Sequence, residues 1–427
     1  MRKLLVALLV LALAGLAAPG AQAMKGTVTV ALSGEPLSMD PHVQSEFIGA
    51  MIWPWGYDNL VYAEPGTGRL KPWLAEKFER VSAQAFKFTL RSGVKFNDGT
   101  PLTSAAVKYS LGRIFDPQVK SRLIPYFKDI REVEVIDDRT FIIHTKVPMN
   151  GLPNLLRRFG HIVNPKTKGM DLAEVSRNTH GSGPYVLKEW TKGQKMVFEA
   201  NPRWWNNKAY PDRPQTLVLR RIQEHATRVK ALLAGEVDII TAVPAHLVPQ
   251  IKENPELEAT GVPAVRILYV GFFTGHGGPF DNLKVRQAVN YAVDAGSIIK
   301  TFLGGYAEPY FQMLHPWVYS GYSKKFTSWY PHDLNKAKQL MKEAGHEQGF
   351  KAHLFTTVDR YPSDKETCEA IAGMVKQIGI DAPCNPVTFP LYRQTFTAFQ
   401  DGKRKEPAFY YQGFGNGAGN TGVSLRG

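Results

Sequence analysis

The sequence predicts an α/β protein built from at least two lobes. Its 427 residues exceed the ~100–200 residues of an ordinary domain. Segments in which apolar residues recur at every second position alternate with segments of helical period, and mixed strands and helices with crossover connections imply α/β lobes. Hydrophobic residues make up 44% of the chain, enough to build buried cores. The sequence shows no repeat of solenoid length.

The N-terminus predicts export. Arg2 and Lys3 precede an apolar run over residues 4–16, and Ala21-Gln22-Ala23 offers a small-residue cleavage site, so residues 1–23 are predicted to be a signal peptide. The run is shorter than the ~20 residues that span a bilayer. Because no cysteine directly follows this run, we expect no lipoprotein anchor. The sequence therefore predicts a periplasmic protein, and nothing past residue 23 is long and apolar enough to cross a membrane.

Alternating apolar residues predict the strands. These segments are residues 27–32, 86–90, 132–137, 140–145, 196–200 and 216–222. Asp98-Gly99 supplies the positive-φ turn chemistry that reverses the chain after the second of them. Asp137-Asp138 is interpreted as the turn between the predicted strands 132–137 and 140–145. The two residues are not interpreted as a catalytic carboxylate pair, because adjacent residues on a strand point to opposite faces.

Helical periodicity and capping residues predict the helices. Thr103 stands at an N-cap position, before an apolar stripe that runs to residue 114. Residues 285–293 follow the i, i+3, i+4, i+7 rule, with Asp281 or Asn282 as the cap. Further helices are predicted over residues 334–344 and 364–378, each ended by a glycine.

Seven segments together resemble a known family. Residues 90–111, reading LRSGVKFNDGTPLTSAAVKYSL, are similar to the signature of family 5 extracytoplasmic solute-binding proteins, the peptide and nickel receptors of ABC importers. Six further segments match in family order: 181–190, 201–205, 228–238, 279–294, 335–345 and 377–380.

The resemblance implies a bilobal periplasmic-binding-protein fold of type II, cluster C-like, with an extra subdomain in the first lobe. Lobe I would cover residues 24–265, with the inserted subdomain at about residues 65–178, and lobe II would cover residues 269–427. Family members normally continue further and return to lobe I. We therefore expect this chain to be C-terminally truncated, without the return segment.

The function that the resemblance implies is capture of a small solute by lobe closure and delivery to an ABC permease. We expect a monomer that meets the inner membrane only through the permease. The formal charge of +14 could attract anionic partners. Because lysine and arginine are spread along the chain, however, a solvated basic surface is the preferred interpretation and no nucleic-acid partner is predicted.

Loops that the family uses to line its cleft supply the predicted ligand site. Those residues are Met39, Phe273, Asp359, Arg360, Tyr361, Tyr411, Phe414 and Gly415. Two structural interpretations stay open: aromatic residues beside strands are usually core, and Arg360 could be a surface ion-pair partner.

The predicted C-terminal loop departs from the peptide-binding members. Those members hold the α-amino group of the peptide with an aspartate, whereas residues 412–419 contain no carboxylate. A buried ammonium group would then be poorly compensated. This disfavours ordinary dipeptides, although an acidic residue elsewhere, such as Asp359, could substitute. The sequence therefore supports a non-standard peptide or a hydroxylated, uncharged solute (an oligosaccharide or opine-like compound) as well as it supports a peptide.

Cys368 and Cys384 are the two cysteines of the chain. An even count in an oxidising compartment is compatible with one disulfide, but sequence does not fix the Cα spacing that a bridge needs.

No catalytic motif is evident in the sequence. It contains no His-Glu-x-x-His or Gly-x-Ser-x-Gly pattern, and two isolated cysteines lack the paired spacing of a zinc site. We predict no enzyme, catalytic residue, metal or cofactor. A secreted hydrolase of sugars or peptides, and a periplasmic chemosensory receptor, remain as alternatives.

Overall fold

The computed structural model describes residues 26–415, apart from residues 66, 262, 263, 265, 314–322, 324, 326–329 and 359. None of the helices in this part of the chain has the length and apolar character that a bilayer crossing needs.

The strands, in chain order, are β1 (Thr27–Leu32), β2 (Val61–Ala63), β3 (Leu70–Pro72), β4 (Ala75–Ser82), β5 (Ala85–Leu90), β6 (Ile130–Val135), β7 (Thr140–Thr145), β8 (Tyr185–Thr191), β9 (Lys195–Ala200), β10 (Thr216–Arg221), β11 (Ile239–Ile240), β12 (Arg266–Phe272), β13 (Phe350–Lys351), β14 (His353–Thr357), β15 (Ile380–Asp381), β16 (Cys384–Val387) and β17 (Ala408–Gly415).

The α-helices are α1 (Phe47–Gly56), α2 (Ser104–Arg113), α3 (Ile124–Phe127), α4 (Leu152–Phe159), α5 (Leu172–Arg177), α6 (His225–Leu233), α7 (Val248–Lys252), α8 (Leu283–Ala292), α9 (Ala295–Phe302), α10 (Leu334–Glu343), α11 (Asp364–Lys376) and α12 (Phe389–Gln400).

The first sheet has the strand order β11-β1-β10-β9-β8, with β1 parallel to β10 and β11 and the other pairs antiparallel. Successive side chains of β1 point to opposite faces. Val30 and Leu32 pack with Trp53 of α1 on one face, whereas Ala31 packs with Val229 of α6 on the other. The sheet is therefore covered on both faces.

The second sheet, β4-β5-β7-β6, is antiparallel and has its own core with α2 and α4. A buried ion pair joins α2 to the loop after β1: Nη1 and Nη2 of Arg113 donate to the two carboxylate oxygens of Asp40 at 2.9 and 2.6 Å. The two side chains are 4% and 0% exposed. This bidentate geometry compensates the cost of burying both charges.

The third sheet has the order β12-β17-β14-β16, in which β14, β16 and β17 are parallel and β12 is antiparallel to β17. Helices α8, α10 and α11 cover one face, and the aromatic residues of α12 cover part of the other. A disulfide links Cys368 of α11 to Cys384 of β16, with 5.7 Å between the Cα atoms.

Most of the predicted elements lie within about two residues of the observed ones. Asn282, rather than Asp281, caps α8, since its Oδ1 accepts from the backbone N–H of Lys284 at 2.9 Å. Thr103 precedes α2 as predicted, but its side chain makes no capping hydrogen bond. The strand 132–137 is observed two residues earlier, as β6, because residues 136–139 form the turn, which Asp137 Oδ1 stabilises by accepting from two backbone N–H groups.

The structure does not test the predicted lobe boundaries, which stay predictions. The first and third sheets use residues 27–240 and 266–415, and the second sheet lies within the predicted inserted subdomain. The segment between these two sheets contacts the second part of the chain through a hydrogen bond from Nζ of Lys252, in α7, to the hydroxyl of Tyr306 at 3.2 Å.

The buried ion pair generates a stability prediction. Substituting Arg113→Met leaves the Asp40 carboxylate buried without its partner, so the free energy of unfolding should fall by about 3–5 kcal/mol, measured by urea denaturation. The double variant Asp40→Asn/Arg113→Met should recover part of that loss. A single variant as stable as the unsubstituted protein would contradict this account.

The disulfide between Cys368 and Cys384 leads to a second stability prediction. The bridge spans 16 positions, and a loop of that length contributes about 3 kcal/mol through the unfolded chain. Reductant, or the double substitution Cys368→Ala/Cys384→Ala, should therefore lower the free energy of unfolding by that amount. Reductant should have no further effect on the double variant, which serves as the control. An unfolding midpoint unchanged by reductant would refute the bridge.

Candidate functional site

One edge of the third sheet gathers the ends of four strands. The parallel strands β14, β16 and β17 finish there, and the antiparallel β12 begins there. Ligands of α/β sheets bind beyond the carboxyl ends of the strands. We call this region the arginine edge and define it by Arg266, Arg360, Tyr361, Phe389, Phe414 and Gly415.

A buried carboxylate sets the backbone of the loop between β14 and α11. Oδ2 of Asp364, the first residue of α11, accepts from the hydroxyl of Thr357 at 2.8 Å. The same oxygen accepts from the backbone N–H groups of Arg360 and Tyr361, both at 3.2 Å. Hydrogen bonds to an ionised acceptor are the stronger ones. Asp364 therefore fixes the position from which both side chains project.

Tyr361 is the centre of the edge. Its ring packs on the backbone of Gly413, and its hydroxyl donates to the carbonyl oxygen of Gly413 at 3.1 Å. A Cβ at Gly413 would lie 2.6 Å from Cε1 of Tyr361, closer than van der Waals contact allows. Only glycine therefore lets the ring occupy this place without a shift.

Two guanidinium groups lie against the Tyr361 ring. The Cζ atoms of Arg266 and Arg360 are 5.3 and 5.6 Å from its centroid, within the range of cation–π attraction. Arg360 also lies 3.6 Å from the centroid of Phe389, and its Nε donates to the Tyr361 hydroxyl at 3.3 Å. Aromatic contacts thus orient both cations.

The positive charge at this edge is not neutralised by the described part of the chain. Neither Arg266 nor Arg360 has a described carboxylate within 4 Å, and both are exposed. Burial lowers the pKa of the Arg158 guanidinium in α4, the Tyr126 charge raises that pKa, and the Arg266 charge lowers it. The arrangement therefore favours an anionic ligand.

A chain of polar groups lies on the face of the sheet covered by α12. The hydroxyl of Tyr392 donates to Oε1 of Gln412 at 2.8 Å, and Nε2 of Gln412 donates to the hydroxyl of Tyr269 at 2.5 Å. Burial raises the pKa of Tyr392, so its hydroxyl stays protonated and can donate. Sequence reasoning missed these residues, although the alternation along β17 places Gln412 on the same face as Phe414.

Four of the predicted site residues come together at the arginine edge: Arg360, Tyr361, Phe414 and Gly415. Asp359 lies outside the described residues. Three others lie away from this edge, and their part in ligand binding stays a prediction. Met39 is fully buried beside α1, and Tyr411 is 4% exposed on the face packed against α11. Phe273 follows the far end of β12, at the opposite edge, where it packs with Phe355 and Phe399.

The first sheet presents a comparable edge where β1, β10 and β11 end. Arg228, 1% exposed, donates to the backbone oxygens of Ile222, Gln223 and Thr241 at 2.8, 2.9 and 3.4 Å, and so ties the ends of β10 and β11 together. After β1, Leu37 and Phe47 are 71% and 61% exposed.

Among the residues that the structure describes, no group of three or more His, Cys, Asp or Glu side chains is close enough to hold a metal ion. The chemistry available at the arginine edge is therefore that of guanidinium, phenol and aromatic rings, which bind and orient a ligand.

Residues 69–423 match the family model of bacterial extracellular solute-binding proteins, family 5. The chain belongs to this family. The glutathione-binding protein GsiB of Shigella flexneri serotype 5b is 28% identical over 360 residues, which cover 83% of this chain and 68% of that protein.

Solved structures agree with this assignment. The periplasmic binding protein AgaA from A. tumefaciens R10, in complex with agropinic acid, is 31% identical with a TM-score of 0.70, over 92% of this chain and 77% of that one. DppA from Helicobacter pylori, an ABC-transporter-associated periplasmic binding protein, is 23% identical with a TM-score of 0.72, over 92% of this chain and 78% of that one.

These comparisons confirm the predicted family and its α/β periplasmic-binding-protein fold. The chain is a solute-binding protein of the class that serves ABC importers, and the relatives named here are binding proteins rather than enzymes. They give no support to the hydrolase or the chemosensory alternative.

The contact between Tyr361 and Gly413 gives a prediction with an internal control. Gly413→Ala should displace the ring and lower the free energy of unfolding by about 1–3 kcal/mol, with a changed near-ultraviolet circular dichroism spectrum. At Gly415 a Cβ would meet Arg266 only at 3.9 Å, so Gly415→Ala should stay within about 0.5 kcal/mol. Equal effects of the two substitutions would contradict the packing described.

Proposed function

We propose that this protein captures a small peptide-like or opine-like solute that carries a carboxylate, and that it binds this carboxylate at the arginine edge through Arg360. The observation that carries the proposal is the pair of guanidinium groups against Tyr361, without a carboxylate partner among the described residues.

The chemistry of the edge supports an acidic solute over a neutral one. A guanidinium group binds a carboxylate through two parallel hydrogen bonds. An uncharged oligosaccharide would cover exposed cations without compensating them, at a cost in desolvation. The ligands of two relatives are acids: GsiB is a glutathione-binding protein, and AgaA was solved in complex with agropinic acid. Of the solutes that the sequence left open, a peptide or an opine-like acid therefore fits best.

Capture would proceed by closure of the two lobes. The solute must bind the closed arrangement more tightly than the open one, because only differential affinity shifts the equilibrium. Arg360 and Tyr361 would contact the solute from the third sheet. Leu37 and Phe47 would become covered from the first sheet, adding about 25 cal/mol for each Å² of apolar surface buried.

Delivery to the permease, the periplasmic location and the monomeric state belong to the same proposal. Membership of a family of extracellular solute-binding proteins supports the first two. The predicted signal peptide, residues 1–23, lies outside the described residues and stays a prediction, as does docking at the inner membrane through the permease alone.

Calorimetry with a panel of glutathione, dipeptides, opines and neutral oligosaccharides tests the proposal. At least one acid should bind with a micromolar or lower Kd and be recovered unchanged. Arg360→Gln should weaken its binding by at least about 10-fold, as expected for a charged hydrogen bond.

Arg404→Gln is the matched control, since Arg404 also lies over an aromatic ring, Phe399 at 4.3 Å, but pairs with Glu406. The Arg404→Gln variant should bind the acid with an affinity within about twofold of that of the unsubstituted protein, as expected for a surface substitution away from the ligand. Tighter binding of a neutral oligosaccharide than of every acid, or an Arg360→Gln variant with full affinity, would refute the proposal.

A further inference from the structure

We propose that the hydroxyl of Tyr269 donates to an uncharged carbonyl oxygen of the solute, so that the solute carries an amide as well as a carboxylate. This inference rests on the proposed function and narrows its solute class. A peptide has both groups, whereas an opine built on a secondary amine has the carboxylate without the amide. The residues that carry the inference are Tyr269, Tyr392, Tyr410 and Gln412, which we call the phenol row.

The phenol row lies on the face of the third sheet that α12 partly covers. Tyr269 of β12 is directly opposite Gln412 of β17, so the two side chains share a face. The Tyr410 ring lies over Gly271 of β12, because a Cβ at Gly271 would be 2.6 Å from Cε2 of Tyr410. The Tyr269 and Tyr410 rings meet edge to face with their centroids 6.1 Å apart. Phenols of both strands therefore surround one amide.

Hydrogen bonds give the phenol row a direction. Tyr392 is 1% exposed, and its hydroxyl donates to Oε1 of Gln412 at 2.8 Å. The amide nitrogen of Gln412 faces the other way and donates to the Tyr269 oxygen at 2.5 Å. Burial raises the pKa of Tyr410, and Tyr269 raises it further through its charge and a hydrogen bond, which is the effect expected when Tyr410 is also a donor.

The Tyr269 hydroxyl is the open end of the phenol row. Its oxygen already accepts from Gln412, and no hydrogen bond within the described part of the chain uses its proton. Tyr269 is half-buried, whereas Tyr392 at the other end is enclosed. A hydroxyl has one proton to donate beside its acceptor sites. The proton of Tyr269 is therefore available to an acceptor that arrives from solution.

An uncharged acceptor suits this place better than a carboxylate does. The phenol row consists of three hydroxyls and one amide, which are uncharged at neutral pH. A carboxylate taken out of water needs an opposite charge, and the guanidinium groups of the arginine edge offer one. An amide carbonyl oxygen needs only a donor.

Aromatic contacts connect the phenol row to Arg360. The Arg360 Cζ lies 3.6 Å from the centroid of Phe389, and the Phe389 and Tyr392 rings are stacked with their centroids 6.5 Å apart. One ring therefore separates the guanidinium from the phenol row. A peptide of two or three residues extends about 3.5 Å per residue. Such a solute is long enough to place its carboxylate on Arg360 and a carbonyl oxygen at Tyr269.

Calorimetry with matched analogues tests the inference. Ala-Glu and glutathione are compared with analogues in which a trans alkene replaces one peptide bond and every carboxylate is kept. For at least one peptide bond, the amide should bind about 5- to 10-fold more tightly than the alkene, as expected for one neutral hydrogen bond. Tyr269→Phe should reduce this ratio to less than about twofold and leave the affinity for the alkene unchanged.

Two further variants separate a contact with the solute from a loss of structure. Gln412→Glu supplies an acceptor in place of the amide donor, so the Tyr269 proton should turn inward and the preference for the amide should fall below about twofold. Tyr185→Phe is the matched control, because it also removes a hydroxyl hydrogen bond, to the backbone oxygen of Pro214 at 3.0 Å, but at the start of β8. It should leave the ratio unchanged. Thermal unfolding confirms that all three variants fold.

The two proposals fail in distinguishable ways. Equal binding of amide and alkene by the unsubstituted protein, or a preference that survives Tyr269→Phe, would overturn the role of Tyr269 and leave the carboxylate solute intact. Octopine binding more tightly than every peptide would overturn the amide solute in the same way. Failure of every acid in the panel to bind at about 1 mM would overturn both proposals.

Discussion

The packing of the Tyr361 ring on the backbone of Gly413 is the constraint on which the candidate site depends. It places a flat aromatic surface at the ends of the parallel strands, and two guanidinium groups lie against that surface. The buried carboxylate of Asp364 holds the loop between β14 and α11, because it accepts hydrogen bonds from the backbone N–H groups of Arg360 and Tyr361. A side chain at position 413, or a free loop, would leave the arginines as long, mobile chains with a large entropic cost of ordering on binding.

The protein uses arginine in two different ways. Arg113 is buried and meets both oxygens of Asp40, so its charge is compensated within the fold and it joins α2 to the loop after β1. Arg266 and Arg360 are exposed and lack such a partner among the described residues. Exposed cations without a partner of this kind can bind an anion that arrives from solution. The net charge of +14 over the whole chain is a weaker indication of an anionic ligand than this local arrangement of arginines.

Local signals in the sequence predict the helices and strands, whereas the surroundings of the candidate site depend on tertiary packing. Strong alternation and side-chain caps identified β1, β7 and α8, because these signals are local. Phe273 and Tyr411 lie away from the arginine edge for a tertiary reason: alternation shows that Tyr411 and Gln412 face opposite ways, but not which face the helices cover. Phe273 lies at the far edge because β12 runs antiparallel to its neighbours, and strand direction is not a property of a single segment. Arg266 carries no signal of its own, since an arginine at the start of a strand is usually a solvated residue.

A crystal structure with a bound solute would test the central claim most directly. We expect a carboxylate oxygen of the solute within about 2.7–3.2 Å of the Arg360 guanidinium nitrogens, between the third-sheet edge and the exposed apolar residues that follow β1. Solute density elsewhere in the molecule, with Arg360 still facing solvent, would contradict the account.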